Sequence, residues 1–119
     1  MRIAVSAQGA SPDAAVDPRF GRCPYFAIVD TASVTLEFVD NASSASNSGS
    51  GIQAAQLVAQ HKVDAVLTGR CGANAQQTLA AAKIEIISDC SGTVTELVRQ
   101  YVSGELTHGS SRAQPQEQK

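Results

Sequence analysis

With 119 residues and a mass of 12.3 kDa, the chain has room for one compact domain, which excludes a multidomain enzyme. Apolar residues make up 43% of it, enough for a globular core, but aromatics only 4% with no Trp, too few to stack single-stranded nucleic acid. Eleven acidic against nine basic residues leave a net charge of −2 and a pI near 5.5, so neither nucleic acid nor an anionic membrane is an expected partner, and any anion site must be local.

The opening MRIAVSAQG soon turns polar, and no apolar run approaches the ~18 residues of a membrane span. This reads as a soluble protein without a signal peptide. Cys23, Cys71 and Cys90 are an odd number with no CxxC pair, which argues against a secreted disulfide framework and for reduced thiols in the cytoplasm.

In chain order, the β-branched run Arg2 to Ser6 reads as a first strand, followed by a turn-rich loop reaching Pro24. Tyr25 to Asp30 and Val34 to Asp40 are two further strands at hairpin spacing, hence antiparallel. Residues 41–50 are Ser, Asn, Ala and Gly beyond the strand end, a flexible loop by composition. A helix over Gly51 to His61 carries Ala54, Leu57 and Val58 on one face. Val63 to Thr68 is a fourth strand, Asn74 to Ala82 a helix with Ala75, Leu79 and Ala82 on one side, and Ile84 to Ser88 a fifth strand, giving a parallel strand-helix-strand unit. The last helix is marked by a Thr93/Glu96 capping box, an apolar stripe of Val94, Leu97, Val98 and Tyr101, and a stop at Gly104. We expect a domain over 1–104 and a disordered tail over 105–119, whose polar composition has no periodicity.

Following strand directions, loops 7–24, 41–50, 69–73 and 89–92 fall at one edge of the sheet, beyond the carboxyl ends of the parallel strands, where α/β proteins hold ligands. Arg19, Arg22 and Arg70 lie there, as do Gly21, Gly49, Gly51, Gly69 and Gly72, and two helices start there. Guanidinium groups with backbone N–H groups of glycine turns and helix N-termini make an anion receptor. The three cysteines map to the same edge, and Cys71, between Arg70 and Gly72, is the candidate soft-metal ligand. Cys90 suits a small buried hydrophobe. Asp13 and Asp17 fit turn openings that bind backbone N–H groups rather than acid-base catalysis, for which no partner is in reach. His61 fits a helix C-terminus, and His108 lies in the tail. A hydrolase using Cys71 as nucleophile lacks a positioned base.

The segments DPRFGRCPYF (17–26), SGSGIQAAQLVAQHKVDAVLTGRCGANAQQTL (48–79) and AAAKIEII (80–87) resemble the dinitrogenase iron-molybdenum cofactor biosynthesis family, small accessory proteins for metal-sulfur clusters. The likeness covers most of residues 1–103 and rests on DxRFGR, G-I-x-A-A-x-L and T-G-x-x-G together. It implies an α/β sandwich of ribonuclease H-like topology, with a five-stranded mixed sheet containing one antiparallel strand. It also implies a non-enzymatic carrier or assembly role for a molybdenum-copper sulfide cluster or a related iron-molybdenum cluster precursor, with a cluster donor or acceptor protein as partner. Carried over by position, Arg19, Phe20, Gly21 and Arg22 match the family's first loop, and Gly69, Cys71, Gly72 and Asn74 its glycine-containing loop. Many relatives have a histidine where Ser48 stands here, just before the Gly49-Ser50-Gly51 turn. That departure shifts binding toward charge and hydrogen bonds, or toward Cys71. The alternative is a protein-protein regulatory module of the same fold with no metal.

Overall fold

The computed structural model describes residues 1–33, 35–41 and 50–104. Ser48, Gly49 and the tail over 105–119 lie outside the described residues, as does Val34.

Side chains of β1 (Arg2–Ala7) alternate between two cores. Ile3, Val5 and Ala7 point to one face and Ala4 to the other, so this central strand is apolar on both sides. It pairs antiparallel with β2 (Tyr25–Asp30), which pairs antiparallel with β3 (Thr35–Asp40). On its other side β1 pairs in parallel with β4 (Ala65–Leu67), and β4 in parallel with β5 (Glu85–Ile87). The sheet order is β3-β2-β1-β4-β5, with β2 running against its neighbours, the ribonuclease H-like arrangement that was expected.

Two helices cover one face. Helix α1 (Ser50–Gln60) contributes Ala54, Ala55 and Val58, and α2 (Ala73–Ala81) contributes Ala75 and Leu79, all packed with Phe20, Phe26, Ile28 and Val66. Helix α3 (Val94–Val102) covers the other face through Val94 and Leu97, against Ile3, Val29, Leu67 and Ile87. The Thr93 capping box is present: the Glu96 N–H donates to Thr93 Oγ1 at 3.2 Å and the Thr93 N–H to Glu96 Oε1 at 2.9 Å. Gly104 follows with φ +86°, the left-handed position that favours glycine after a helix.

Several boundaries differ from expectation. β4 and β5 are three residues each: Thr68 N–H still donates to the Ile87 carbonyl at 3.0 Å, but Cys90 N–H then reaches the Thr68 carbonyl at 3.0 Å, one residue out of register, and at the other end Arg2 N–H donates to Asp64 Oδ2 at 2.9 Å. Ala82 is exposed rather than buried. Helix α2 ends at Ala81, and Lys83 at φ +62° turns the chain so that Ile84 enters the core instead. Lys62, at φ +59°, likewise ends α1 one residue before His61, at a position where glycine is the usual signal.

Candidate functional site

Four backbone hydrogen bonds tie the loops beyond the strand ends into one surface. Phe20 N–H donates to the Arg70 carbonyl at 3.0 Å, Asp89 N–H to the Gly69 carbonyl at 2.7 Å, Val16 N–H to the Gly92 carbonyl at 2.9 Å, and Asn41 N–H to the Pro24 carbonyl at 2.9 Å. The first belongs to a parallel bridge between Arg19 and Arg70. Two arginines fifty-one positions apart (70 less 19) therefore lie on neighbouring backbones.

Beneath this surface lies a buried polar layer. Ser6 Oγ donates to the Asp17 carbonyl at 2.7 Å and shares a hydrogen bond of 2.8 Å with Thr68 Oγ1, while Asp17 N–H donates to the Ser6 carbonyl at 2.8 Å. Ser6 and Thr68 extend from β1 and β4 on the α1/α2 side, so the strand ends themselves hold the arginine loop. The Asp17 carboxylate accepts the Arg19 backbone N–H at 2.8 Å, as expected of an aspartate opening a turn. It also accepts Arg19 Nε at 3.2 Å and a terminal guanidinium nitrogen at 3.2 Å. The hydrogen bond to Asp17, and then its charge, raise the Arg19 pKa still further.

Arg22 and Arg70 are exposed, and neither guanidinium has an ion pair or hydrogen bond among the described residues. Two residues after Arg70, Gly72 is the N-cap of α2 and supplies no side-chain cap; the first turn, with exposed Asn74, carries no acidic residue. A β-carbon on Gly72 would meet nothing within 4 Å, so the positive end of the helix is open to solvent. Gln76 Nε2 donates to the Cys71 carbonyl at 2.6 Å and holds this turn in place. At Gly51 a β-carbon would lie 3.2 Å from Ala75 Cβ, so the absence of a side chain lets the first turns of α1 and α2 approach each other.

Other expected site residues are placed differently. Phe20 is 1% exposed, with its ring centroid 5.2 Å from that of Phe26; it anchors the arginine loop in the core. Gly21 is half-buried and offers its carbonyl to Asn41 Nδ2 at 3.3 Å. The cysteines do not converge. Cys23 and Cys71 join the core under α1 and α2, whereas Cys90 joins the core under α3. Burial, with the charge of Asp17 adding to it, pushes the Cys23 thiol up to about 12; burial pushes Cys71 up to about 11. Such thiols are protonated at neutral pH and lack the depressed pKa of a reactive cysteine.

Asn41 is the residue that sequence reasoning passed over. It is 1% exposed, and its Nδ2 donates to the Cys23 carbonyl at 2.7 Å as well as to Gly21. Its only signal was its place directly after a strand, obscured by the Ser- and Asn-rich stretch that follows.

Among the described residues no three of His, Cys, Asp and Glu are grouped to hold a metal ion. The donor set is instead cationic and N–H bearing, which fits a preassembled anion. Two adjoining grooves run along α3 on the other face. One of about 400 Å³ is lined by residues including Val29, Val98, Arg99 and Val102, and one of about 220 Å³ by residues including Leu36 and Val94. Their apolar walls do not suit a polyanion. No described helix is long and apolar enough to cross a membrane.

Comparison with known proteins identifies the family. A family model described as dinitrogenase iron-molybdenum cofactor matches residues 1–104. The apo form of the orange protein from Desulfovibrio gigas superposes with a TM-score of 0.88 at 41% identity, over 92% of each chain. A putative NifB protein from Thermotoga, solved by NMR, superposes with a TM-score of 0.80 at 29% identity, over 97% of this chain and 98% of that one. No curated protein matches the sequence. The chain belongs to the dinitrogenase iron-molybdenum cofactor family.

Proposed function

We propose that this protein carries or helps assemble an anionic molybdenum-containing metal-sulfide cluster, held noncovalently as cargo rather than as a catalytic cofactor. What supports the reading is exposed Arg70, without an ion pair or hydrogen bond from its guanidinium among the described residues, two residues before the uncapped start of α2 and bridged through its backbone to Arg19, with exposed Arg22 three residues further along the same loop as Arg19. Sulfide accepts only weak hydrogen bonds, so affinity comes from complementary charge and from the number of N–H groups offered. Arg19, Gly21, Gly69, Gly72 and Asn74 complete the receptor. Ser48, Gly49 and Gly51, at the approach to α1, belong to the same edge by sequence.

The orange protein is known in an apo form and the family description names an iron-molybdenum cofactor; we take the cargo to be a molybdenum-copper sulfide cluster or a related iron-molybdenum precursor. Cys71 is the soft donor of the receptor loop, and its burial and raised pKa favour packing over ligation. Cysteines at 23, 71 and 90, none of them in a disulfide, suit a reducing cytoplasm. A second reading, a metal-free protein-protein module, draws on the apolar grooves along α3, where exposed Leu36 and Val102 lie.

Metal analysis and an absorption spectrum of protein isolated without a chelation step test the proposal. Stoichiometric molybdenum with visible absorption bands is the expected result. Colourless, molybdenum-free protein that also fails to take up added thiomolybdate would favour the module.

A further inference from the structure

We propose that Asp17 is an internal competitor for Arg19, so that the receptor holds one of its three guanidinium arms in reserve and binding exchanges the Asp17 carboxylate for the incoming anion. The inference rests on the anion-receptor reading above and adds a residue that sets its strength.

The two partners differ in freedom. Asp17 is 1% exposed and its backbone is clamped at both ends by Ser6, through its N–H at 2.8 Å and its carbonyl at 2.7 Å. Its carboxylate cannot follow a moving partner without undoing the buried layer on the strand ends. The Arg19 side chain is 64% exposed, and its long stem can swing away while the backbone stays bridged to Arg70. Arg19 regains water when it leaves, but the buried Asp17 carboxylate loses its counter-charge, so the exchange carries a cost that the incoming anion must offset. After the swing, the carboxylate still accepts the Arg19 backbone N–H at 2.8 Å, so it is not left without a hydrogen bond. A polyanion beside Arg22 and Arg70 would meet the third arm at that bridge. Its attraction for Arg19 must exceed that of Asp17, a bias against weakly charged anions.

Asp17→Asn separates the two roles of this side chain. The amide oxygen still accepts the Arg19 N–H, but the charge that holds the guanidinium is gone. With tetrathiomolybdate as probe and the full chain as protein, Asp17→Asn should bind roughly tenfold or more tighter than the parent, because the cost of uncovering a buried carboxylate is gone. The gain should vanish in the Asp17→Asn/Arg19→Gln double variant measured against Arg19→Gln alone. A folded Asp17→Asn that binds no tighter would overturn the competitor role. So would a gain that survives without Arg19, since it would be through-space repulsion alone. Should Asp17→Asn fail to fold, the single variants decide: Arg19→Gln must cost the parent less affinity than Arg70→Gln, and equal losses would overturn the proposal. No binding of the probe by any folded variant or by the parent would overturn the receptor reading as well.

Discussion

Gly69 passes so close to Pro18 that a β-carbon on it would lie 2.6 Å from the Pro18 Cα and 2.9 Å from its carbonyl oxygen. The contact is backbone against backbone, which cannot yield as a flexible side chain would. It brings the loop carrying Arg70 against the loop carrying Arg19. Gly69→Ala should therefore cost about 1–3 kcal/mol, the range for forced overpacking, and weaken anion binding by separating the arginines. Gly72→Ala, with open space around it, should cost less than Gly69→Ala, since only the N-cap preference for Gly over Ala is lost. Equal midpoints for the two variants would show that the close approach is not required.

Asn41 fastens the other side of the arginine loop. Asn41→Ala leaves the Cys23 carbonyl without its 2.7 Å donor, and losing the partner of a buried polar group costs about 1–3 kcal/mol. Urea unfolding should show that loss, and thiomolybdate affinity should fall with it as residues 19–22 loosen. An unchanged midpoint would remove Asn41 from the account.

The strand directions were legible because hairpin spacing and two helical crossovers allow few arrangements, and they gathered loops 7–24, 69–73 and 89–92 at one edge, while residues 42–49 of the fourth loop lie outside the described residues. Depth and pairing were not legible. Phe20 lies within a polar motif, yet its ring is in the core, because only the closed sheet supplies Phe26 as its neighbour. The cysteines were rightly placed along the edge, but which face each one enters depends on strand register. Arg19 looked equivalent to Arg22 and Arg70 until its neighbour Asp17 proved to be buried beneath it. Lysines at positive φ ended two helices without the glycine that normally marks such a stop.

Glu96 makes part of the stability depend on acid pH. Its bond from the Thr93 backbone N–H, first, and its hydrogen bond with the Thr93 side chain hold its pKa below the ordinary 4.5. A carboxylate with a depressed folded-state pKa contributes stability that is present above the unfolded value and lost as pH falls through the folded one. Glu96→Gln keeps the acceptor but cannot titrate. Its Tm should therefore fall less than the parent's between about pH 5 and pH 3. Parallel declines would rule out this contribution.

Cys71→Ser tests whether the thiol is a ligand. A packing role predicts thiomolybdate affinity within about twofold of the parent and the same visible bands. Alkylation at pH 8 should also be slow for folded parent and fast once urea exposes the thiols. Altered bands in Cys71→Ser would establish a metal-sulfur bond.

The central claim is that charge on one edge of an acidic protein receives a multiply charged sulfide anion. Tetrathiomolybdate titrations at about 0.15 M and 1 M salt, where the Debye length falls from ~8 Å to ~3 Å, measure it most directly. Arg99, which lines the groove on the α3 face, provides the control. The account predicts that parent affinity drops with salt, that Arg22→Gln and Arg70→Gln each lose about tenfold at the lower salt and less of their remaining affinity at the higher, and that Arg99→Gln matches the parent. Salt-independent binding by the parent, or equal losses in Arg70→Gln and Arg99→Gln, would contradict it.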